Sequence, residues 1–317
     1  LLLPPSKSAA VLITGCRRIR RSMTIWKTYY LAKSPEDALR ALTKESGSAR
    51  LIAGGSDLLL ELQQGLRPAV DTLVDVTAIP EMTVLEIQQG RIYLGAAVPL
   101  SKIVASPLIK EHARALHEAA SLIGGPQVRN IATLGGNVAH ALPAADGTIS
   151  LLSLNAQALI QGEYGRRITP LETLFLGPGR SVLEENRELL LGFYLPLKAG
   201  GEGSAFVRVM RPQGVAIAIL NMAAWVRREG DKLADVRLAV GPAGPLPFRA
   251  RAAEAAFRGQ NFSRHSFNQA LSALRTEVHF RTSPHRATSE YRHKLAPWLL
   301  EQALSAAWER AAGHPSG

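Results

Sequence analysis

Leu51-Ile52-Ala53-Gly54-Gly55-Ser56-Asp57-Leu58 and Ala132-Thr133-Leu134-Gly135-Gly136-Asn137-Val138 carry most of the information in this chain. Each places two glycines between an apolar, strand-like run and a small polar residue. Adjacent glycines lack Cβ and permit positive φ, so the backbone N–H groups of such a turn can surround an anion. Two turns of this kind predict a diphosphate that is held from two sides.

Length and composition limit the classes of protein that need to be considered. The chain has 317 residues, 46% of them hydrophobic and 20% charged, so it can form two or three domains with sizeable cores. The net charge is +11, but part of it comes from residues 1–22, which contain basic residues and no acid. No dense basic run is interleaved with aromatic residues, so nucleic acid is a disfavoured partner. No apolar run has the roughly 18 residues that a membrane span needs.

Residues 1–22 differ from the rest of the chain. They begin with Leu, contain Pro4-Pro5, and end in a basic cluster, while Met23 is a plausible start. Their apolar stretch precedes the charges, the reverse of a secretory signal, so we expect a disordered or artefactual extension. The only cysteine, Cys16, lies in this segment. Structural disulfides, Cys-ligated zinc or iron–sulfur sites and a catalytic cysteine are therefore excluded from Met23 onward, and a cytoplasmic location is favoured.

Local patterns predict an α/β unit around the first glycine pair. Ser34-Pro35-Glu36-Asp37 is typical of a helix start. The other predicted elements are strands at 50–53, 73–76 and 188–195, helices at 58–64 and 101–105, one helix over 107–123, hairpins at 83–96 and 158–168, a linker at 199–204, three strands at 205–210, 215–226 and 233–240, and a helical stretch over 288–311 interrupted at Pro297.

The sequence lacks the signatures of several enzyme classes. It contains no P-loop, no G-x-G-x-x-G, no H-E-x-x-H and no G-x-S-x-G pattern. No organised acid–base pair or activated nucleophile is evident either. If the protein is an enzyme, a cofactor performs the chemistry and the chain positions it.

Several motifs resemble those of a known family, the FAD-binding subunits of molybdenum hydroxylases, which include carbon monoxide dehydrogenase, bacterial xanthine dehydrogenase and 4-hydroxybenzoyl-CoA reductase. Residues 52–58 resemble the first flavin motif, and 127–137 with 143–146 resemble the second. Residues 175–180 resemble the loop that leads to the flavin ring, and 286–292 resemble the start of the final helix. The likeness runs from about Ile25 to Ala311, with the motifs in the expected order.

The resemblance implies an α+β fold. A two-subdomain FAD-binding fold of the vanillyl-alcohol-oxidase type would cover residues 23–198, with subdomains of about 23–77 and 78–198. A C-terminal flavoprotein domain, made of a three-stranded antiparallel sheet with helices, would cover residues 203–313. The linker at 199–204, identified from composition alone, gives the same boundary.

The resemblance also assigns cofactor contacts to individual residues. The backbone N–H groups of Ala53 to Asp57 would hold the pyrophosphate, with the Ser56 hydroxyl adding a contact. The second motif would approach the diphosphate and neighbouring parts of FAD from the other side, and Asp146 would accept hydrogen bonds from the ribose or adenine end. The predicted residues of the two motifs are Ile52, Ala53, Gly54, Gly55, Ser56, Asp57, Leu58, Thr133, Gly135, Gly136 and Asn137.

Three further residues are assigned to the flavin ring. Leu189 and Leu190 match apolar positions that pack near the isoalloxazine, with plain strand core as the alternative. Many relatives place a lysine directly after a Ser-Ala-Phe-like segment. Here Val207 follows that segment and Arg208 comes next, so Arg208 is the candidate that would stabilise a reduced, anionic flavin from a different geometry.

The function implied by the resemblance is that of an FAD-carrying electron-transfer subunit. Molybdopterin would lie on a large partner subunit and [2Fe-2S] clusters on a small one, in a dimer of heterotrimers. Electrons would pass to NAD⁺, a quinone or oxygen. Two alternatives stay open: a stand-alone flavin reductase on a related fold, such as UDP-N-acetylenolpyruvoylglucosamine reductase, and a degenerate subunit that has lost FAD.

Overall fold

The computed structural model of the chain describes residues 25–44, 47–212 and 217–312. The extension predicted over residues 1–22, with Cys16, lies outside the described residues. The described part combines helices and sheets in three units: an N-terminal unit (25–77), a middle unit (78–198) and a C-terminal unit (199–312).

The N-terminal unit is built on a parallel sheet. Its strands β1 (Thr28–Leu31), β2 (Ala49–Ile52) and β3 (Thr72–Asp75) lie in the order β1-β3-β2, and helices α1 (Pro35–Lys44) and α2 (Leu58–Gln63) connect them. Ser34 Oγ accepts a hydrogen bond from the Asp37 N–H at 3.1 Å, which satisfies one unpaired donor of the first turn of α1. The predicted start of this helix is confirmed.

The middle unit contains a five-stranded antiparallel sheet in the order β4-β5-β10-β6-β7 and a two-stranded ribbon. The strands are β4 (Leu85–Gln88), β5 (Arg91–Gly95), β6 (Gln157–Gly162), β7 (Gly165–Pro170), β8 (Phe175–Gly177), β9 (Arg180–Ser181) and β10 (Glu188–Pro196). The helices between β5 and β6 are α3 (Leu100–Ala105), α4 (Pro107–His112), α5 (Arg114–Leu122), α6 (Pro126–Ile131), α7 (Leu134–Ala139) and α8 (Asp146–Ser153). Both predicted hairpins, β4–β5 and β6–β7, are confirmed.

The C-terminal unit is an antiparallel sheet with three helices. Strands β11 (Glu202–Val209), β12 (Leu220–Glu229), β13 (Lys232–Gly241) and β14 (Phe248–Arg249) lie in sequence order, followed by α9 (Arg251–Phe257), α10 (Arg264–Glu277) and α11 (Ser289–Ala311). The three long strands implied by the resemblance are confirmed, and the two-residue strand β14 extends the sheet. Among the described residues, no helix combines the length and the apolar character needed to cross a membrane.

Side chains on the two faces of β12 pack into different cores, and one of these cores belongs to the middle unit. Met222 and Ala224 pack into the core formed with the C-terminal helices. Ala223 and Trp225 point to the opposite face of the strand and belong to the main core, which the N-terminal and middle units share. The C-terminal sheet is therefore buried on both faces. A small third core contains Ile52, Leu73 and Leu62 of α2.

The prediction of one helix over residues 107–123 is wrong. The helix ends at His112, and a new helix starts at Arg114 after Ala113, whose φ and ψ are −134° and 53°. The Ala115 N–H, in the first turn of the new helix, donates to Ser204 Oγ on β11 at 3.1 Å. A side chain of the C-terminal unit therefore satisfies a donor at this helix start.

The predicted interruption at Pro297 is also wrong, because α11 continues through it. A proline inside a helix removes one hydrogen bond and costs about 3 kcal/mol. Leu299, Leu300 and Leu304 follow it and are completely buried in the C-terminal core. Burying each leucine stabilises the helix by about 1.5–3 kcal/mol, which offsets the cost of the proline.

Candidate functional site

The first glycine motif (residues 52–58) connects the end of β2 to the start of α2. Gly55 has a φ of +66°, in the left-handed region that favours glycine. Within the described residues, the backbone N–H groups of residues 54–57 donate no hydrogen bond. Consecutive amides without partners form a concave surface of partial positive charge, which suits an anion such as a diphosphate.

The other residues of this motif have distinct surroundings. Ile52 is buried and Leu58 packs against it in the small core. Ala53 and Ser56 are half-buried, Asp57 is exposed, and the Ser56 Oγ lies 3.4 Å from Asp57 Oδ2. Ser56 therefore stands beside the free amides, where its hydroxyl can add a hydrogen bond.

Gly54 brings the first motif into contact with the segment that precedes the second. A methyl group at Gly54 would overlap the carbonyl oxygen of Ile131 and would lie 2.7 Å from its carbonyl carbon. Ile131 ends α6, and Ala132 and Thr133 follow it directly. The two glycine motifs, far apart in sequence, are therefore packed backbone against backbone, as a cofactor held from two sides requires.

The second glycine motif (residues 132–138) is not a turn, so that part of the prediction is wrong. Gly135 and Gly136 lie inside α7, and neither has a positive φ. The Gly135 N–H donates to the Ala96 carbonyl at 2.9 Å, and the Gly136 N–H donates to Thr133 Oγ1 at 3.1 Å. Thr133 caps the helix, and its side chain favours this conformation over the expected turn.

The two glycines of α7 have different reasons to lack a side chain. A Cβ on Gly135 would lie 2.5 Å from the Ala96 Cβ, so close packing of the helix on the middle unit excludes it. Gly136 is exposed, and a Cβ there would approach only Thr133 Oγ1, at 3.2 Å. Packing within the chain does not require Gly136, whose bare backbone is open to a ligand.

Asn137, next to Gly136, carries an unsatisfied polar atom. Its Oδ1 is buried and has no hydrogen-bond partner among the described residues. A Cβ on Gly147 would lie 2.6 Å from this oxygen, so the amide packs on the first turn of α8. A buried acceptor without a donor costs about 1–3 kcal/mol, and a donor on a bound molecule would remove that cost.

Asp146 and Arg208 form a buried ion pair that joins the middle and C-terminal units. The side chain of each is 6% exposed. Asn221 Nδ2 donates to Asp146 Oδ1 at 2.5 Å, and Arg208 Nη2 donates to the Leu122 carbonyl at 2.5 Å. Burial raises the pKa of Asp146, while Arg208 and Asn221 act in the opposite direction.

This pair joins two residues to which the resemblance assigns different parts of FAD. Asp146 was assigned to the ribose or adenine end of FAD and Arg208 to the flavin ring. The two side chains touch, whereas an extended dinucleotide separates those ends by much more than one ion pair. Asp146 and Arg208 therefore lie side by side, and the part of FAD that each approaches stays a prediction.

Leu189 and Leu190 lie on β10 in the main core. They are 2% and 5% exposed, and they pair with Gln161 and Ile160 on β6. The register is regular at these two residues and shifts only after Leu190, so they point to opposite faces of a strand that is buried on both faces here. This placement corresponds to the alternative of plain strand core, and their contact with an isoalloxazine stays a prediction.

The loop at residues 175–180 lies beside the second motif. The Gly179 N–H donates to the Ala141 carbonyl at 3.0 Å, just beyond the end of α7. Leu176, on β8, is 60% exposed. The loop therefore lies close to the end of α7, and its approach to a flavin ring stays a prediction.

One pair near the motifs was missed by the sequence analysis. His140 caps the end of α7, and its Nε2 lies 3.2 Å from Glu61 Oε1 on α2. No local pattern could have identified the pair, because the two residues lie on separate units. Among the described residues, no group of three or more His, Cys, Asp or Glu side chains could hold a metal ion.

Comparisons with protein families match both parts of the chain. Residues 21–198 match the FAD binding domain in molybdopterin dehydrogenase, and residues 205–307 match the CO dehydrogenase flavoprotein C-terminal domain. The boundary between the two matches coincides with the linker predicted at 199–204.

Individual proteins are similar over nearly their whole length. The medium chain of carbon monoxide dehydrogenase from Hydrogenophaga pseudoflava is 30% identical, with 90% of this chain and 98% of the relative covered. The xanthine dehydrogenase FAD-binding subunit of Escherichia coli O157:H7 is 28% identical, with 90% and 97% covered. A solved structure of the Hydrogenophaga pseudoflava carbon monoxide dehydrogenase superposes with a TM-score of 0.85, at 30% identity and over 90% of this chain and 98% of that one.

Proposed function

The chain belongs to the family of FAD-binding subunits of molybdenum hydroxylases, and we propose that it transfers electrons, through bound FAD, from [2Fe-2S] clusters on a partner subunit to an external acceptor. It is the flavoprotein component of an oxidoreductase. FAD supplies chemistry that can join single-electron carriers to two-electron acceptors. The task of the protein residues is to bind and orient the cofactor.

The contact between the two glycine motifs is the observation that carries this proposal. The free amides of residues 54–57 would bind the pyrophosphate, and the exposed backbone at Gly136 would let the cofactor approach α7 closely. Ser56, Thr133 and Asn137 would add side-chain hydrogen bonds. The second motif would contribute shape and side chains, since the N–H groups of its glycines already have partners.

The partners are proposed from the names of the relatives. Those proteins are described as a medium chain and an FAD-binding subunit, which are components of larger enzymes. We infer a large subunit with molybdopterin and a small subunit with [2Fe-2S] clusters for this chain, in a dimer of heterotrimers in the cytoplasm. Substrate would be oxidised on the large subunit, so no substrate-binding residues are assigned here.

An absorption spectrum of the purified chain, with the cofactor released by heat and identified by chromatography, tests the proposal. Stoichiometric FAD is expected. A colourless protein that takes up no added FAD would contradict it and would favour a subunit that has lost its cofactor. Purification from the native host distinguishes the remaining alternative, because a stand-alone flavin reductase would carry no iron or molybdenum with it.

A further inference from the structure

His140 bridges the two halves of the proposed cofactor site. It lies at the end of the helix that carries the second glycine motif, and Glu61 lies on the helix that follows the first. The distance from His140 Nε2 to Glu61 Oε1 is 3.2 Å, and the two side chains are 24% and 23% exposed. Their partial burial makes this contact stronger than one between fully solvated side chains.

The surroundings of the pair contain one further carboxylate, that of Asp57, and one cation, Arg67. Asp57 Oδ2 lies 3.9 Å from His140 Nδ1, so the imidazole stands between Asp57 and Glu61. Arg67 Nε donates to Glu61 Oε2. Burial raises the pKa of Glu61, but the hydrogen bonds and charges of Arg67 and His140 outweigh burial and hold that pKa below its usual value. Glu61 is therefore ionised at neutral pH.

The bridge and the Gly54 contact define two points at which the halves meet. At the first, the backbone of Gly54 packs on Ile131, and at the second, Glu61 meets His140. In the first segment, the free amides of residues 54–57 come before Glu61. In the second segment, Gly136 lies between Ile131 and His140. Loss of the contact between Glu61 and His140 would alter the spacing between the free amides and Gly136, while Gly54 stays packed on the preceding segment.

The carboxylates of Asp57 and Glu61 lie beside this site. A diphosphate brings negative charge to a loop that is followed by Asp57 and Glu61, and repulsion between like charges weakens such binding. His140 donates to one carboxylate and lies near the other, whereas Arg67 contacts only Glu61. His140 is therefore the side chain that both joins the halves and stands between the acidic groups.

We propose that His140 is a positioning residue for FAD: by binding Glu61 it holds α2 against α7 at the spacing that the cofactor requires. This inference rests on the proposed function. Without the bridge, the cofactor-free protein would spend part of its time with the halves apart, and the apparent dissociation constant would rise by the inverse of the competent fraction. His140 contacts Glu61 on the other half of the site and is assigned no contact with FAD, so its effect on FAD binding is indirect.

The test compares three variants of the full chain, freed of cofactor, in FAD titrations. His140→Ala removes the bridge, and His140→Gln keeps an amide donor that can reach Glu61. Arg67→Ala is the matched control, because it removes the other partner of Glu61 and leaves the bridge in place. We expect His140→Ala to raise the Kd for FAD about tenfold, equivalent to one charge-assisted hydrogen bond. His140→Gln should stay within about threefold of wild type, and Arg67→Ala likewise.

Amide hydrogen exchange of α2 in the cofactor-free chain provides a second measurement. His140→Ala should speed exchange in α2 without changing exchange in the strands of the C-terminal unit, because only the local contact is lost. An unchanged Kd in His140→Ala, or an equal loss in Arg67→Ala, would overturn the proposal. If even the wild-type chain fails to bind FAD, the proposed function fails together with the role in cofactor binding, and hydrogen exchange then reports separately on the bridge.

Discussion

Arg310, on the last helix, reaches Glu118 on α5, with 2.6 Å between Arg310 Nη2 and Glu118 Oε1. Glu118 also accepts a hydrogen bond from the Phe206 N–H at 2.9 Å. One carboxylate of the middle unit thus binds both β11 and α11 of the C-terminal unit. The attachment between these units is polar at this point, in addition to the apolar packing around Trp225.

Glu118→Ala should weaken this attachment. The substitution removes the acceptor of the Phe206 N–H and the carboxylate partner of Arg310, which keeps its hydrogen bond to the Ser204 carbonyl. The expected loss in the free energy of unfolding is about 2 kcal/mol. Glu309→Ala, at an exposed position beside Arg310, is the control and should change stability by no more than about 0.5 kcal/mol. Urea unfolding monitored by tryptophan fluorescence measures both. Equal stability of the two variants would show that the pair contributes nothing.

Local patterns in the sequence were sufficient for elements that depend on neighbouring residues. Ser34 caps α1 as predicted, Gly55 adopts the positive φ expected of its turn, and both hairpins form around their turn residues. In each case the deciding interaction lies within a few residues of the signal. Family motifs then supplied the order of the units and the cofactor.

The errors occurred where a distant contact overrides local preference. The break at Ala113 is accompanied by the contact with Ser204, and α11 continues through Pro297 because its leucines are buried in the C-terminal core. Pairing between Asp146 and Arg208 brings together residues from separate units, as does pairing between Glu61 and His140. No periodicity or spacing encodes such contacts, so a single sequence could not predict the detailed site.

Gly54 and Gly136 should respond differently to substitution. Gly54→Ala forces a methyl group against the Ile131 carbonyl, so we expect both weaker FAD binding and a loss of about 1–3 kcal/mol in stability. Gly136→Leu adds a side chain at an exposed helical position, so it should block the cofactor and leave the stability of the cofactor-free chain within about 1 kcal/mol of wild type.

Gly244→Leu is the control for this comparison. Gly244 has no positive φ and no neighbour where its Cβ would lie, and it belongs to a loop of the C-terminal unit. Its FAD content should equal that of wild type. Full flavin occupancy in Gly136→Leu would disprove the close approach of the cofactor to α7. Gly55 is less suitable for this test, because its positive φ strains any side chain irrespective of a ligand.

Replacing either Asp146 or Arg208 alone should lower the free energy of unfolding, because the remaining charge stays buried without its partner. Asp146→Asn leaves the Arg208 charge buried without a counter-charge, and the expected loss is about 3–5 kcal/mol. In the double variant with Arg208→Met, the second substitution should recover part of that loss, because no charge then stays buried.

Arg251→Ala offers a matched control for this pair. Arg251 also reaches into the middle unit, where it binds Glu172 at 2.5 Å, but its side chain is 54% exposed. Its removal should cost less than about 1 kcal/mol. Thermal and urea unfolding of the cofactor-free proteins compare Asp146→Asn, Arg208→Met, the double variant and Arg251→Ala. Strictly additive losses in the Asp146 and Arg208 variants would contradict the coupling of the two charges.

Tyr29 makes the stability of the folded protein depend on pH in the alkaline range. Its hydroxyl donates to Asp75 Oδ2 at 2.6 Å, across β1 and β3. Burial, this hydrogen bond and the adjacent negative charge raise the pKa of Tyr29 from 10.0 to about 12. The folded protein therefore holds the phenolic proton more tightly than the unfolded chain. The stabilising contribution is complete below pH 10 and is lost as the pH rises toward 12.

Comparison with Tyr29→Phe isolates this contribution from other groups that titrate at high pH. Wild type should be more stable than the variant below pH 10, and the difference should shrink as the pH approaches 12. Urea unfolding across this range measures the difference, and tyrosinate absorbance of the folded proteins measures the titration directly. Two results would show that the Asp75 hydrogen bond does not govern the ionisation of Tyr29. One is a difference in stability that stays constant with pH. The other is a variant that lacks a tyrosinate titration step near pH 10 rather than one near pH 12.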